Sequence, residues 1–328
     1  MICMKIFKIA FGGALAIILA SLLKLEYSTA AGIITLLTIQ DTTKETIHIS
    51  LKRVVAFCIA TLLSFGLFNL IGYHAISFGL FLLVFVWICY TFQLQDAIAM
   101  NAVLATHYLV SYHMPLSLIQ NEFLLLFIGA GIGTLLNLFM PDKVKHIRNT
   151  QAVLESDLRA VLSGMSENLL KESKENYTDE CFYVLESHIE RGLKDAYDNM
   201  NNTLTKNTKY FIDYMQMRKQ QCQVLRNIYQ KIKTLDYVPE QAEDIANFID
   251  HIGISLEETN NAAALLLECE TLFQKFQASD LPTTRQEFES RAVLYTLLKD
   301  FEYFLQVKQD FAASLSSEQK KNYWKTVS

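Results

Sequence analysis

The sequence predicts an all-α protein: a polytopic membrane domain with about six transmembrane segments, followed by a cytoplasmic antiparallel helical bundle. Three observations carry this prediction. Residues 54–141 contain only two charged side chains, Asp96 and Glu122. Charge then rises abruptly, from 11 charged residues in positions 1–141 to 52 in positions 142–328. The second part also repeats apolar residues at helical spacing, which is typical of helices that bury one face.

The apolar part is long enough for several crossings of a bilayer. A bilayer core is about 30 Å thick, so a helix needs roughly 20 apolar residues to cross it. Residues 54–95 contain no Lys, Arg, Asp or Glu, which leaves room for two crossings before Asp96 and about two after it. A soluble chain of this size could not hide so much apolar surface. We therefore predict a transmembrane helical domain over residues 1–141 and a helical-bundle domain over residues 142–328.

The first predicted segment covers residues 6–23. Two lysines followed by an apolar run also resemble a signal peptide, but further membrane segments follow, so we interpret the segment as a helix that stays in the protein. Gly12, Ala16 and Ala20 recur every four residues. Small residues at this spacing let helices approach closely in lipid, so we expect a tight helix contact here.

The second predicted segment, residues 27–40, is short and contains several hydroxyl side chains. Its length as a helix is roughly 21 Å, which leaves two interpretations open. It is either a re-entrant or broken helix facing a cavity, or a short crossing packed against its neighbours. A polar stretch, residues 40–53, follows it, and Thr42 or Thr43 could cap the next helix.

Four more segments complete the membrane domain, with a very short turn at residues 72–74 between the third and fourth. The last segment contains a GxxxG pattern from Gly129 to Gly133. That pattern fits either close packing within the chain or self-association. The predicted third to sixth segments are 51–71, 75–92, 94–112 and 122–140.

The distribution of lysine and arginine orients the domain. Six crossings put both ends of the chain on one side, and the side richer in Lys and Arg faces the cytoplasm. The other side has only Lys24, offset by Glu26. We therefore predict a multi-pass protein of the plasma membrane with both termini in the cytoplasm. The positive side chains on the predicted inner side are Lys5, Lys8, Lys44, Lys52, Arg53, Lys143, Lys145 and Arg148.

The second part is predicted to be helical throughout, because apolar residues recur there at steps of three, four or seven. Pro239 can open a helix at its first turn, and we expect a break in that helix near Gly253. Long helices with one apolar stripe each and short polar loops predict an antiparallel bundle. The predicted helices begin near Ile147, Phe182, Tyr214, Pro239 and Thr284, with a short extra helix over 316–324.

Several classes of function are excluded by what the sequence lacks. Residues 142–328 are more acidic than basic and carry no basic stripe, so nucleic acid is not an expected partner. The six cysteines are scattered without a CxxC pair, which argues against a disulfide framework and against a zinc site. There is no nucleotide-binding loop and no hydrolase, metalloprotease or kinase signature. We therefore expect no enzymatic activity, no cofactor and no metal.

Charged groups within a membrane are costly and are candidates for function. Asp96 begins the predicted fifth segment, and His107 lies eleven residues further on, close to the same helix face. Both could line one cavity, with Asp96 carrying protons; alternatively, Asp96 is an interfacial carboxylate at a helix N-terminus and His107 a packed histidine. We interpret Glu122, at the start of the predicted sixth segment, as an interfacial carboxylate.

Four other polar residues are candidates for transport. Asn101 can hydrogen-bond across helices, and Gln40 opens the polar stretch before the third segment. Lys52 and Arg53 are either anchors at the cytoplasmic surface or groups that attract an anionic substrate to the inner mouth.

Four stretches of the membrane domain resemble a known family. They are Gly-Ile-Ile-Thr-Leu-Leu-Thr-Ile-Gln (32–40), Leu-Lys-Arg-Val-Val-Ala-Phe (51–57), Gln-Asp-Ala-Ile-Ala-Met-Asn (95–101) and Gly-Thr-Leu-Leu-Asn-Leu-Phe-Met-Pro (133–141). With the helical carboxy-terminal domain, the chain resembles the aromatic acid exporter family, related to fusaric acid resistance-type membrane proteins. The Gram-positive branch is especially similar. The resemblance implies efflux of aromatic carboxylic acids.

Two hypotheses for function follow. The first is a proton-coupled exporter of small anionic aromatic acids, surrounded by membrane lipid, with Asp96 as the coupling carboxylate. Because larger relatives carry a longer or duplicated architecture, a single set of six segments is expected to form a homo-oligomer that encloses a path. The alternative is a membrane-anchored interaction or regulatory protein whose cytoplasmic bundle binds a partner.

Overall fold

The protein is helical throughout the part of the chain that the structure describes. This computed structural model describes residues 2–139, 143–172, 179–203 and 208–324; the predicted domain boundary at 141/142 lies outside these ranges. Within them the chain forms thirteen α-helices, one short 3-10 helix (Gln95–Ala97) and no strand, so the all-α prediction is confirmed. The α-helices are α1 (Ile2–Leu22), α2 (Thr29–Thr38), α3 (Thr43–Ile71), α4 (Ala75–Thr91), α5 (Ile98–Ser111), α6 (Leu116–Leu138), α7 (Val144–Leu169), α8 (Glu180–Asn202), α9 (Lys209–Lys233), α10 (Gln241–Ile254), α11 (Ala263–Ala278), α12 (Arg285–Ser314) and α13 (Ser317–Tyr323).

The helices form two compact units. The first, the N-terminal unit, comprises Met1–Asp142 and Asn201–Lys206. The second, the C-terminal unit, comprises Lys143–Met200 and Asn207–Ser328. Each unit has its own buried apolar core.

In the N-terminal unit, α1, α2 and α6 pack tightly against one another. Ala16 and Ala20 of α1 are fully buried. Gly12 faces α6 so closely that a Cβ there would lie 2.6 Å from Cδ1 of Leu136. The expected tight contact through these three small residues is therefore confirmed.

The GxxxG pattern of α6 packs against α2 of the same chain. A Cβ on Gly129 would lie 2.6 Å from the Cβ of Ile34 and 2.7 Å from the carbonyl oxygen of Ala31. A Cβ on Gly133 would lie 2.8 Å from the Cβ of Thr38. Of the two interpretations of the pattern, the structure shows close packing within the chain, since both glycines are already covered by α2.

The remaining helices of this unit pack around α3. Its N-cap is Thr42, whose side chain accepts a hydrogen bond from the Glu45 amide, one of the two caps that the sequence predicts. Gly72 ends α3 with a φ of +103°, a left-handed conformation that glycine adopts without strain. α4 then begins at Ala75, so the short turn is also confirmed.

Three helices of the described chain are long and apolar enough to cross a membrane: α1, α3 and α6. Apolar helices α2 and α4 are shorter. The predicted fifth segment is divided, because a 3-10 turn precedes an α5 of only 14 residues, which is about 21 Å long. Six full crossings stay a prediction.

The C-terminal unit is a set of paired helices. Near the start of α7, Arg148 contacts Glu258 beyond the end of α10, whereas Ser166 near the end of α7 donates to the carbonyl of Ala246. α7 and α10 therefore run antiparallel. The order of contacts between α9 and α12 shows the same arrangement, from Tyr210 with Phe311 to Lys231 with Asp300. The predicted break near Gly253 and the short final helix are both present.

A partly buried polar cluster joins α7, α9, α12 and the loop after α10. Arg148 donates from Nη1 to both carboxylate oxygens of Glu258 at 2.5 and 2.7 Å, and the hydroxyl of Tyr210 donates to the same carboxylate. The Nζ of Lys308 donates to the main-chain carbonyl of Glu258 at 2.7 Å. The indole of Trp324 donates to the Tyr210 hydroxyl at 3.2 Å, which holds the chain after α13 against the bundle.

The close α2–α6 contact predicts a stability difference between two glycines of one helix. Gly129→Ala should lower the free energy of unfolding by about 1–3 kcal/mol, because its methyl group overlaps backbone and Cβ atoms of α2. Gly131→Ala is the matched control: nothing lies within 4 Å of its Cβ position, and alanine favours a helix over glycine by roughly 1 kcal/mol. Thermal unfolding of the purified full-length protein in detergent measures both; equal melting temperatures for the two variants would contradict the packing.

Lys308 predicts a rise in the stability of the C-terminal unit with pH. Burial, with a contribution from Arg218, lowers the pKa of Lys308 to about 7, while Glu155 and Glu258 oppose this shift. The unfolded chain keeps that proton up to about pH 10. Above pH 7 the unfolded state therefore binds more protons than the folded state, so stability increases from pH 7 to 9, by at most about 1.4 kcal/mol per pH unit.

Thermal unfolding of the full-length protein at pH 7, 8 and 9 tests this. Lys308→Met should reduce the pH slope, whereas the exposed Lys275, replaced by Met as a control, should leave it unchanged. An unaltered slope in Lys308→Met would show that another group titrates.

Candidate functional site

The N-terminal unit buries one arginine without a carboxylate in contact. Arg53 of α3 is 3% exposed. Its Nη1 donates to the hydroxyl of Thr38 at 2.6 Å, and its Nη2 donates to the carbonyl oxygen of Leu37 at 2.7 Å. Within the described residues no carboxylate forms an ion pair with Arg53, and its Nε has no hydrogen-bond partner. The interpretation of Arg53 as an anchor at the cytoplasmic surface is therefore wrong, since its side chain points into the unit.

The position of Arg53 follows from the end of α2. Leu37 and Thr38 are the last two residues of that helix, and the C-terminus of a helix carries a partial negative charge that favours a cation. These contacts offset part of the cost of burying the guanidinium, but neutral groups do not cancel its charge.

A second set of hydrogen bonds holds the loop between α2 and α3. The side-chain amide of Asn137 on α6 donates to the carbonyl oxygens of Gln40 and Thr42, at 3.1 and 3.4 Å, and to the hydroxyl of Thr46 at 2.6 Å. The hydroxyl of Thr43 donates back to the carbonyl of Asn137 at 2.9 Å. The side chain of Gln40 donates to the Leu37 carbonyl at 2.8 Å. Arg53 donates to the same carbonyl, so Gln40 and Arg53 share an acceptor just before the loop.

Asn101 of α5 connects that helix to α3. Its side-chain amide donates to the carbonyl of Ala97 at 3.0 Å and to the carbonyl of Arg53 at 3.4 Å. The predicted contact of Asn101 across helices is thus present. Its Oδ1 and that of Asn137 are buried without a hydrogen-bond partner among the described residues, so the unit contains unsatisfied acceptors as well as the unsatisfied Nε of Arg53.

Asp96 faces cations. Its Oδ2 lies 4.0 Å from Nζ of Lys52, and their side chains are 54% and 22% exposed. Asp96 also acts electrostatically on Arg53. The structure therefore brings Asp96, Lys52 and Arg53 into one region, with Asp96 at its open side.

Glu122 is the most deeply buried carboxylate of the described N-terminal unit. Its side chain is 0% exposed, and its Oε2 lies 2.7 Å from Nδ1 of His107 on α5. The side-chain amide of Asn121 donates to its other oxygen at 3.1 Å. The ring of Tyr27 stacks on His107 with centroids 4.0 Å apart and planes 8° apart. We call the carboxylate of Glu122 and the imidazole of His107 the Glu122–His107 pair.

Asn121 and Tyr27 connect this pair to the loop before α2. Asn121 accepts a hydrogen bond from the amide of Glu26 at 2.8 Å and donates to the carbonyl of the same residue at 3.0 Å. The hydroxyls of Tyr27 and Ser111 lie 3.4 Å apart. The pair is thus held between α5, α6 and this loop.

The structure bears on two predictions about these residues. Asp96 and His107 were expected either to line one cavity or to be an interfacial carboxylate and a packed histidine; the structure packs His107 against Glu122 and Tyr27 and leaves Asp96 beside Lys52. Glu122 was interpreted as an interfacial carboxylate, because the sixth segment was assumed to begin at this charge. α6 begins at Leu116 after Pro115, which places Glu122 about 9 Å further along the helix. Pro115 was the sequence signal that could have found this start.

The described N-terminal unit thus buries the guanidinium of Arg53 and the carboxylate of Glu122. In the part of the chain that the structure describes, no group of three or more His, Cys, Asp or Glu residues is arranged to hold a metal ion. The buried charged groups of the N-terminal unit lie among helices whose outer faces are apolar and exposed. These features define a helical membrane protein.

Comparison with known proteins identifies the family. Residues 1–140 match the family described as "Aromatic acid exporter family member 1", and residues 144–309 match the "Putative aromatic acid exporter C-terminal domain". The chain belongs to the aromatic acid exporter family, as the resemblance in the membrane domain predicts, and is a helical membrane protein of that family.

Two relatives share sequence similarity with this chain. The chain is 30% identical over 304 residues to the Bacillus subtilis (strain 168) protein called "Uncharacterized protein YqjA", covering 93% of this chain and 94% of that protein. It is also 32% identical to the protein in a solved structure titled "Crystal structure of putative membrane protein from Clostridium difficile 630". That match covers 52% of this chain and 99% of the other, with a TM-score of 0.45.

Proposed function

We propose that this protein exports small aromatic carboxylic acids across the plasma membrane, driven by a proton gradient. The observation that carries the proposal is the buried guanidinium of Arg53, which has no carboxylate in contact. An ionised group in an apolar environment is costly unless it is paired. A substrate carboxylate would supply the missing charge and could accept a hydrogen bond from the unbonded Nε.

The surroundings of Arg53 suit an aromatic ring. Phe57 lies one helical turn beyond Arg53 on the same face of α3, and its ring lies 6.0 Å from that of Phe123 on α6. Phe57 and Met100 belong to one buried apolar cluster. A guanidinium beside an apolar, aromatic surface would bind the two ends of an aromatic acid, since the carboxylate pairs with the cation and the ring packs on apolar side chains.

Lys52 and Asp96 would control access to this site. The half-exposed Asp96 lies 4.0 Å from Lys52 and acts on Arg53 without contacting it, so this counter-charge offsets the charge of Arg53 only in part when no substrate is bound. An incoming carboxylate would displace that counter-charge, and protonation of Asp96 would weaken it. The role of Asp96 as the coupling carboxylate stays a prediction, which the transport experiment below includes.

Proteoliposomes test transport. With the lumen more acidic than the medium, an exporter that exchanges protons for substrate should accumulate labelled hydroxybenzoate in the acidic lumen. Passive diffusion of the undissociated acid does the opposite, because a weak acid collects on the alkaline side; protein-free liposomes measure that background. Arg53→Gln should reduce uptake roughly 10- to 100-fold, since a charge-assisted hydrogen bond contributes about 1.5–3 kcal/mol.

Matched variants sharpen this test. Arg53→Lys keeps the charge but loses the planar fork, so partial loss is expected. Arg285→Gln removes an arginine whose side chain is 90% exposed and should transport normally. Loss of hydroxybenzoate uptake in Asp96→Asn would support proton coupling through Asp96. Absence of uptake by correctly inserted wild-type protein, across a panel of aromatic acids, would overturn the exporter proposal and favour the membrane-anchored interaction protein.

We further propose that copies of this chain assemble into a homo-oligomer, with both termini and the C-terminal unit on the cytoplasmic side. Only three described helices of each chain reach the length of a full crossing, so neighbouring copies would complete a path.

An impermeant amine-reactive cross-linker should join copies in inside-out vesicles. The same reagent should leave the C-terminal unit unmodified in right-side-out vesicles. Monomers alone in the first preparation would contradict the assembly, and labelling in the second would contradict the orientation.

A further inference from the structure

The Glu122–His107 pair is a titratable group enclosed by apolar helices. Glu122 is 0% exposed and the His107 side chain is 13% exposed, with 2.7 Å between Oε2 and Nδ1. A carboxylate withdrawn from water needs a paired cation or a bound proton. The contact with His107 provides a place for such a proton between two groups that both bind protons.

The pair has two charge states that differ by one proton. Without it, the carboxylate accepts a hydrogen bond from the Nδ1–H of a neutral imidazole, and the pair carries one negative charge. With it, the pair is neutral overall, either as an imidazolium with a carboxylate or as an imidazole with a carboxylic acid. Because Oε2 and Nδ1 lie 2.7 Å apart, we assign the proton to the pair and not to one residue.

No basic residue of the described chain competes with His107 for this carboxylate. The titratable groups facing the pair are Tyr27, which stacks on the imidazole, and Tyr108 of α5, which lies within electrostatic range of Glu122. From α3, Thr61 contacts the Tyr108 hydroxyl at 3.5 Å. The exposed Glu26 contacts Asn121 through its main chain only, so its carboxylate is not part of the pair.

Two helices connect the pair to Arg53. α5 carries His107 and also Asn101, about 9 Å apart along the helix axis, and Asn101 donates to the main-chain carbonyl of Arg53. α6 carries Glu122 and the adjacent Phe123, whose ring contacts Phe57. The bond between Glu122 and His107 joins α5 to α6, and both helices touch the surroundings of Arg53.

We propose that the Glu122–His107 pair is a proton-binding site, separate from Asp96, through which a proton gradient drives substrate movement at Arg53; this inference rests on the proposed transport function. A proton from the acidic side binds between Oε2 and Nδ1 and neutralises the pair. Its release to the other side restores the negative charge. No covalent bond other than those to the proton forms or breaks, and protonation alternates with occupation of Arg53 by the substrate anion.

Two transport assays with Glu122→Gln separate coupling from transport itself. Glutamine has nearly the same shape and mimics the protonated carboxyl. Exchange of labelled external hydroxybenzoate for unlabelled internal hydroxybenzoate needs no gradient and should stay within twofold of wild type. Accumulation driven by the pH gradient should fall at least tenfold. Retained accumulation, or loss of both activities in folded protein, would overturn the proposal.

A second variant and a control guard against misfolding. His107→Gln should produce the same split between exchange and accumulation. Tyr112→Phe changes a side chain at the end of α5 that is 74% exposed, so both activities should be retained. Loss of both activities in Glu122→Gln and His107→Gln, with Tyr112→Phe unaffected, would assign the pair a structural role and would also overturn the proposal.

Infrared difference spectroscopy measures proton binding without transport. Between high and low pH, wild-type protein should show a change in a carboxyl or carboxylate band that is absent in Glu122→Gln. A spectrum unchanged by this substitution would overturn the proton site even if transport occurs. Conversely, a Glu122-dependent band in a protein that transports none of the acids would support proton binding while rejecting the proposed substrate.

Discussion

The close contact between α2 and α6 is the constraint on which both polar sites depend. Gly129 and Gly133 allow α6 to approach the main chain of α2, with no room for a side chain at either position. In lipid there is no hydrophobic drive for helices to associate, so van der Waals contact of this kind must hold them together. The contact places the end of α2 where Arg53 binds it, and the loop before α2 where Tyr27 covers His107.

α2 therefore separates two charged sites of different chemistry. At its C-terminal end, a buried cation is bound only by neutral oxygen atoms. Before its N-terminal end, a fully buried carboxylate is bound by an imidazole and an amide. α2 has ten residues, so the sites are separated by about 15 Å of helix. The short segment whose crossing the sequence left open thus positions the surroundings of both Arg53 and the Glu122–His107 pair.

Much of the local structure could be predicted, because it depends on short-range rules. The Thr42 cap, the turn at Gly72 and the helix break near Gly253 each follow from the conformational preferences of a few adjacent residues. The start of α6 was missed for a similar local reason. The charge of Glu122 was used as the helix boundary, although Pro115 marked the actual start. An isolated charge is a weak boundary signal when another helix supplies its partner.

The sequence by itself determined that the chain is helical, that its first part is apolar enough for a membrane, and which family it belongs to. Hydrophobic periodicity and motif composition are properties of the chain alone. Only the tertiary structure decided that His107 pairs with Glu122 and not with Asp96, and that Arg53 is buried and not at the surface. Such pairs are set by how consecutive helices pack against one another, because a buried charge takes the partner that the packing brings within reach.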